Sequence, residues 1–218
     1  MAALGEREIH LWPASLDGDT ESLSLLLSED ERERARRFRF ERDRHRFIAG
    51  RGWLRSLLGR YLQTEGGALR FGYGPKGKPY VDGGPHFNLS HSGGMALLAF
   101  CAAEEVGVDL EAVREIDDAE GIARRYFAAA EIERWMAAPP PLRTRVFFDC
   151  WTRMEAVGKA LGEGLAAAAL PPGEPWSVFD VSPSPAFAAA LAVRGEGWSV
   201  CFMGQCGGAA PNSEDHPG

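Results

Sequence analysis

The chain has 218 residues, 45% of them hydrophobic and 25% charged, values of an ordinary folded protein that exclude wholesale disorder. No apolar run approaches the roughly 20 residues of a membrane span, and the opening MAALGEREIHLW lacks the basic and apolar regions of a secretion signal. The expectation is a cytoplasmic chain whose four cysteines, Cys101, Cys150, Cys201 and Cys206, are reduced thiols without zinc-type spacing.

Charge is unevenly spread. The formal net charge is -7, yet Ser28 to Arg60 holds eleven arginines against six acids, a local +5 that leaves -12 for the rest. A basic segment in an acidic protein points to a local anion site rather than a nucleic-acid coat. The plainer reading is a solvated helix face laced with ion pairs. Only three of the 24 basic residues are lysines, Lys76, Lys78 and Lys159. They are candidates for places that need a compact point charge.

In chain order, Glu8–Trp12 reads as a short strand ended by Pro13. Leu23–Leu62 is helical in pattern: Ser28 and Glu31 have capping-box spacing, and Phe47, Leu54, Leu57, Leu58 and Tyr61 recur at helical intervals until Gly66-Gly67. Strands follow around Leu69–Tyr73 and His86–Ser90, across the turn-rich GPKGKPYVDGGP, then at Met95–Ala102 and Val106–Val113. Helices are expected at Ala119–Phe127, Ala130–Ala137 and, beyond Pro139-Pro140-Pro141, from about Leu142 to Leu161; Trp176–Val181 is strand-like. Long helix then short strands, twice over, predicts an α+β fold of two similar halves, 1–103 and 104–206, with a disordered tail over 207–218.

Three segments carry candidate chemistry. In Phe87-Asn88-Leu89-Ser90-His91-Ser92-Gly93-Gly94, alternation puts Phe87 and Leu89 on one strand face and Asn88 and Ser90 on the other. The strand runs into a polar turn able to hold a phosphate, or into a plain hairpin with a surface histidine. In Gly107-Val108-Asp109-Leu110-Glu111, the two acids share one face. They are either a pair that takes a hard cation such as Mg²⁺ together with substrate phosphates, or a solvent-facing acidic edge. In the last helix Phe147, Cys150, Met154, Val157 and Leu161 form an apolar stripe, and Glu155 and Lys159 share another face, as a functional pair or a surface ion pair.

Taken together, Gly77-Lys78-Pro79, Asn88-Leu89-Ser90-His91-Ser92, Gly107-Val108-Asp109-Leu110-Glu111 and W-T-x-x-E-A-x-x-K at Trp151–Lys159 resemble the 4'-phosphopantetheinyl transferases. The likeness runs from about Leu23 to Val181 and is to the larger, pseudo-dimeric branch that activates peptide- and polyketide-synthase carrier domains. It implies two pseudo-equivalent subdomains with coenzyme A in the cleft between them. It also implies Mg²⁺ held by Asp109, Glu111 and Glu155, with Lys159 against the coenzyme diphosphate. Ser90 and His91 would contact the nucleotide phosphates, Lys78 and Pro79 would lie beside the adenine, and Arg34 would supply a further cation for the phosphates. Glu155 and Lys159 would be the catalytic pair. The expected partners are apo acyl- or peptidyl-carrier domains and coenzyme A, with no nucleic acid and no membrane, and a monomer is the simpler state. Met154 stands where the family usually carries a lysine, and the chain ends in Gly/Pro/polar sequence where the family has a further strand. These departures keep open a homologue that binds coenzyme A or a carrier without turnover; a Mg²⁺-dependent nucleotide hydrolase is a third reading.

Overall fold

The computed structural model describes residues 3–162 and 175–204. Its elements in order are β1 (Glu8–Ser15), α1 (Glu21–Ser24), α2 (Glu29–Arg36), α3 (Glu41–Leu62), β2 (Gly72–Tyr73), β3 (Pro79–Tyr80), β4 (His86–Ser92), β5 (Met95–Cys101), β6 (Val106–Ala112), α4 (Ala119–Tyr126), α5 (Ala129–Ala137), α6 (Arg143–Leu161), β7 (Trp176–Asp180), β8 (Phe187–Arg194) and β9 (Ser199–Phe202). The fold is mixed α+β. The expected tail over 207–218 lies outside the described residues, as does Cys206; Cys101, Cys150 and Cys201 are free thiols. Among the described residues no helix is long and apolar enough to cross a membrane.

The two halves repeat one topology. In the first, strand β1, helix α3 and strands β4 and β5 give the sheet order β4-β5-β1; in the second, β6, α6, β7 and β8 give β7-β8-β6. All these pairings are antiparallel. One strand crosses between halves: β9 returns to the first sheet and pairs parallel with β1 from Glu8↔Ser199 to Leu11↔Phe202.

Pro13 does not end β1 as expected, because the strand continues to Ser15 with Pro13 opposite Leu97. Its missing N–H faces the same side as Leu11, whose carbonyl accepts from the Met203 N–H at 2.9 Å. β9 ends at Phe202, and among the described residues no strand continues it opposite Pro13, where no donor is then needed.

The sheets stack between the long helices. One face of the first sheet (Trp12, Ala14, Ala96, Leu98, Phe100) packs on Leu54, Leu57 and Leu58 of α3. The other face (Ile9, Leu11, Leu97, Ala99, Cys101) packs on Val106, Val108, Leu110, Leu191 and Val193 of the second sheet. This is why β5 reads as an unbroken apolar run rather than an alternating one: both of its faces are buried. The outer face of the second sheet offers Ala190 and Ala192 to Ala156, Val157 and Ala160 of α6, small residues that let helix and sheet approach closely.

The expected helix over Leu23–Leu62 is three helices. The capping box is present, with the Ser28 N–H donating to Glu31 Oε2 at 3.1 Å. Glu31 has a second task the sequence does not announce. Its buried carboxylate takes Nε of Arg51 and Nε of Arg55, both at 2.6 Å, and Arg55 also donates to the Gly66 and Leu69 carbonyls. Burial pushes the Glu31 carboxyl up, but Arg51 and Arg55 overcome this and hold it below its usual value. The plainer reading holds for several exposed arginines: Arg32 and Arg36 pair with Glu29, Arg37 with Glu33 and Arg44 with Glu41.

Candidate active site

Three elements converge at one end of the seam between the halves. Leu89, Ser90 and His91 of β4, Asp109 and Glu111 of β6, and Trp151, Glu155 and Lys159 of α6 line one cavity. The alternation read from the sequence holds: Val106, Val108 and Leu110 face the inter-sheet core, which turns Asp109 and Glu111 toward α6. Gly107 lets α6 come close, because a Cβ there would overlap the Ala156 carbonyl oxygen and the Ala160 amide nitrogen. The helix stripe is also as expected. Phe147, Cys150 and Val157 are buried and Met154 packs on the α4–α5 cluster, leaving Glu155 and Lys159 to the cavity.

Lys159 does not pair along its helix with Glu155. Its ammonium reaches across to Asp109 Oδ1 at 2.5 Å and to Ser90 Oγ at 3.0 Å. Ser90 Oγ in turn donates to Asp109 Oδ1 at 2.9 Å. The second carboxylate oxygen, Asp109 Oδ2, is buried and has no hydrogen-bond partner among the described residues. Burial, followed by the charges of Asp109 and Glu111, pushes the Glu155 carboxyl above its ordinary value, with Lys159 opposing them. His91 is held below its usual value by the packed surroundings behind its open edge and by the charges of Lys159 and Arg46. The cavity lining thus carries three carboxylates against one ammonium, a formal excess of two negative charges around an unsatisfied oxygen.

That arrangement fits a divalent cation: hard oxygen donors, an orphaned buried carboxylate oxygen and a charge deficit of two. As the side chains stand, no three His, Cys, Asp or Glu groups among the described residues are close enough to share one ion. Asp109 is occupied by Lys159, and Glu111 accepts from Ser92 Oγ at 3.1 Å and from Arg114 at 3.5 Å. For the three carboxylates to share one ion, the two competing cations, Lys159 on Asp109 and Arg114 on Glu111, would have to give way.

Arg34, Lys78 and Pro79 do not line the cavity. Arg34 is exposed on α2 with its guanidinium 5.2 Å over the Phe47 ring. Pro79 pairs with Tyr73 in the small β2–β3 ribbon. Lys78 braces the seam, donating to Glu105 at 2.5 Å, to the Val106 carbonyl at 3.1 Å and to the Ala160 carbonyl at 3.3 Å in the last turn of α6. Lys78→Met is expected to cost about 1–2 kcal/mol of unfolding free energy through these lost bonds. Urea denaturation that shows no change would remove the bracing role.

Arg46 carries no local signal that sets it apart from the other arginines of the sequence. It lies on α3, its guanidinium held by two bonds to Asp17 at 2.6 and 2.9 Å, beside the turn that follows His91. That turn is Gly93-Gly94, with Ser92 opposite Met95 and a positive φ of 60° at Gly93, the pattern of a type II′ hairpin. A Cβ at Gly94 would overlap the Asp17 carboxylate, so this glycine admits the pair that brings Arg46 to the site.

The seam of this two-half architecture holds an acidic, lysine-bearing cleft. Comparison with known sequences names the family. Residues 105–208 match a model of the 4'-phosphopantetheinyl transferase superfamily, and residues 12–103 match the model described as 4'-phosphopantetheinyl transferase, N-terminal. The chain is 40% identical over 216 residues to the 4'-phosphopantetheinyl transferase HetI of Nostoc sp. (strain PCC 7120), covering 89% of this chain and 91% of that protein. It is 32% identical over 126 residues to the 4'-phosphopantetheinyl transferase Sfp of Bacillus subtilis, covering 57% and 55% of the two chains. It is 33% identical over 111 residues to the 4'-phosphopantetheinyl transferase AcpT of Salmonella typhi, covering 50% and 53%. The chain belongs to the 4'-phosphopantetheinyl transferase superfamily.

Proposed function

We propose that this protein transfers the 4'-phosphopantetheine arm of coenzyme A to a serine of an apo acyl- or peptidyl-carrier protein, with Mg²⁺, releasing 3',5'-ADP. The observation that carries the reading is the cavity itself: Asp109 Oδ2 without a partner among the described residues, two negative charges in excess in the lining, and Lys159, His91 and Arg46 alongside. Asp109, Glu111 and Glu155 would hold Mg²⁺, which supplies charge neutralisation and Lewis acidity at the diphosphate.

The protein's own residues then have separable tasks. The carrier serine oxygen forms a bond to the phosphorus of the pantetheine arm as the bond from that phosphorus to the 3',5'-ADP oxygen breaks. The serine proton goes to Glu155, directly or through a water, on the carboxylate oxygen that the ion would leave free. Lys159 turns from Asp109 to the diphosphate oxygens. His91 and Arg46 lie where the remaining phosphate charge can be met. Positioning and fixed charge carry most of the barrier reduction, and no covalent enzyme intermediate is needed.

The test is incubation with coenzyme A, Mg²⁺ and several apo-carrier proteins, followed by intact mass. The expected result is a gain of one phosphopantetheine arm on at least one carrier, abolished by chelation. Coenzyme A binding by calorimetry with no transfer to any carrier would instead identify a non-catalytic homologue, and 3',5'-ADP release without a carrier would identify a hydrolase.

A further inference from the structure

β4 and β6 run side by side in different sheets, yet no backbone ladder joins them. β6 is an edge strand, and its outward N–H groups would be left without partners inside the molecule. Side chains of β4 take their place. Asn88 Oδ1 accepts from the Val108 N–H at 3.0 Å, Ser90 Oγ from Leu110 at 3.2 Å, and Ser92 Oγ from Ala112 at 3.0 Å. Every second residue of one strand serves every second residue of the other, always twenty positions on.

The two serine rungs do more than satisfy amides. Each hydroxyl donates its proton to the carboxylate just before the amide it accepts from: Ser90 to Asp109 at 2.9 Å, and Ser92 to Glu111 at 3.1 Å. The spacing S-x-S on β4 therefore matches D-x-E on β6 rung for rung. A hydroxyl that both accepts from a fixed N–H and donates to a carboxylate has its rotor set, so it fixes where that carboxylate points. Glu111 has a rival partner, Arg114, at 3.5 Å on the exposed side. Without Ser92, this solvent-facing arginine alone remains to hold it among the described residues.

We propose that Ser92 is a positioning residue for Glu111, and that Asn88, Ser90 and Ser92 form a rail by which the first half of the chain sets the acidic pair of the second half. The inference rests on the function proposed above insofar as that pair binds Mg²⁺. Loss of such an outer-shell partner typically weakens metal binding by roughly 10–100-fold.

The test uses the full chain as wild type and as Ser92→Ala, Ser92→Thr and Asn88→Ala. Amide hydrogen exchange is expected to quicken at Ala112 in Ser92→Ala and at Val108 in Asn88→Ala, with Ser92→Thr close to wild type. The thermal shift produced by Mg²⁺ alone, without coenzyme A or carrier, is expected to need about tenfold more Mg²⁺ in Ser92→Ala. In transfer assays the Mg²⁺ requirement rises in parallel while the KM for the carrier stays within about twofold, and threonine restores both. Unchanged exchange at Ala112, or an unchanged Mg²⁺ requirement in a Ser92→Ala protein that melts normally, overturns the proposal, as does a wild type whose melting does not respond to Mg²⁺. A wild type that responds to Mg²⁺ but modifies no carrier counts against the function instead, and the thermal series still decides the role of Ser92.

Discussion

Glu155→Gln is expected to slow transfer by roughly 10³-fold, the scale on which a positioned proton acceptor contributes, while the protein melts no lower than wild type. The two effects separate because Glu155 lies off the buried stripe of α6. It lines the cavity, where it faces the like charges of Asp109 and Glu111. Burial and those charges already disfavour its ionised form, so the neutral amide removes a repulsion that folding must overcome. In the absence of Mg²⁺ the melting temperature should be unchanged or up to about 3 °C higher, the equivalent of roughly 1 kcal/mol for a chain of this size. Added Mg²⁺ should stabilise the wild type more than the variant, by mass action on the folded state. Initial rates and thermal melts with and without Mg²⁺ check this. A melting temperature that falls in step with activity would mean that the carboxylate supports the core, and its catalytic assignment would go.

Much of this site is legible in the sequence because it rests on short-range periodicity. Alternation along β4 and β6 places Phe87 and Leu89 opposite Asn88 and Ser90, and Val106, Val108 and Leu110 opposite Asp109. The 3.6-residue period sets Glu155 and Lys159 apart from Phe147, Cys150 and Val157. It also accounts for Met154, which packs on the α4–α5 cluster and does not line the cavity. Partners chosen at long range are not written in any local pattern. Lys159 takes Asp109, 50 positions away, rather than the glutamate one turn before it. Lys78 is spent on two carbonyls and a glutamate. Arg46 looks like its neighbours among eleven arginines until the hairpin turn at Gly93-Gly94 is packed beside it. Arg51 and Arg55 read as a solvated face, although both end on the buried Glu31. The rail is hidden for the same reason: a constant offset of twenty means something only once two sheets are known to abut.

Gly107→Ala is expected to destabilise the protein by about 3 kcal/mol, the upper part of the range for overpacking, and to lower the melting temperature by roughly 6–12 °C. The added methyl meets backbone, the Ala156 carbonyl and the Ala160 amide, and backbone cannot rotate away as a long side chain can. Nor can α6 easily retreat as a whole. Its Ala156, Val157 and Ala160 pack on Ala190 and Ala192 of β8, and its Phe147 and Phe148 pack with Ala123 and Phe127. The helix must therefore shift or tilt near Ala156–Ala160, the stretch that carries Lys159 and directly follows Glu155. Activity should fall further than the folded fraction, even well below the melting temperature, because Lys159 and Asp109 sit on the two elements being pried apart. Gly18→Ala is the control: a Cβ there meets nothing within 4 Å, and both stability and activity should stay at wild-type levels. Urea unfolding and initial rates measured on both variants distinguish the cases. A Gly107→Ala protein as stable and as active as Gly18→Ala would show that α6 does not need its close approach to β6, and the geometry that joins the lysine to the acidic pair would have to be sought elsewhere.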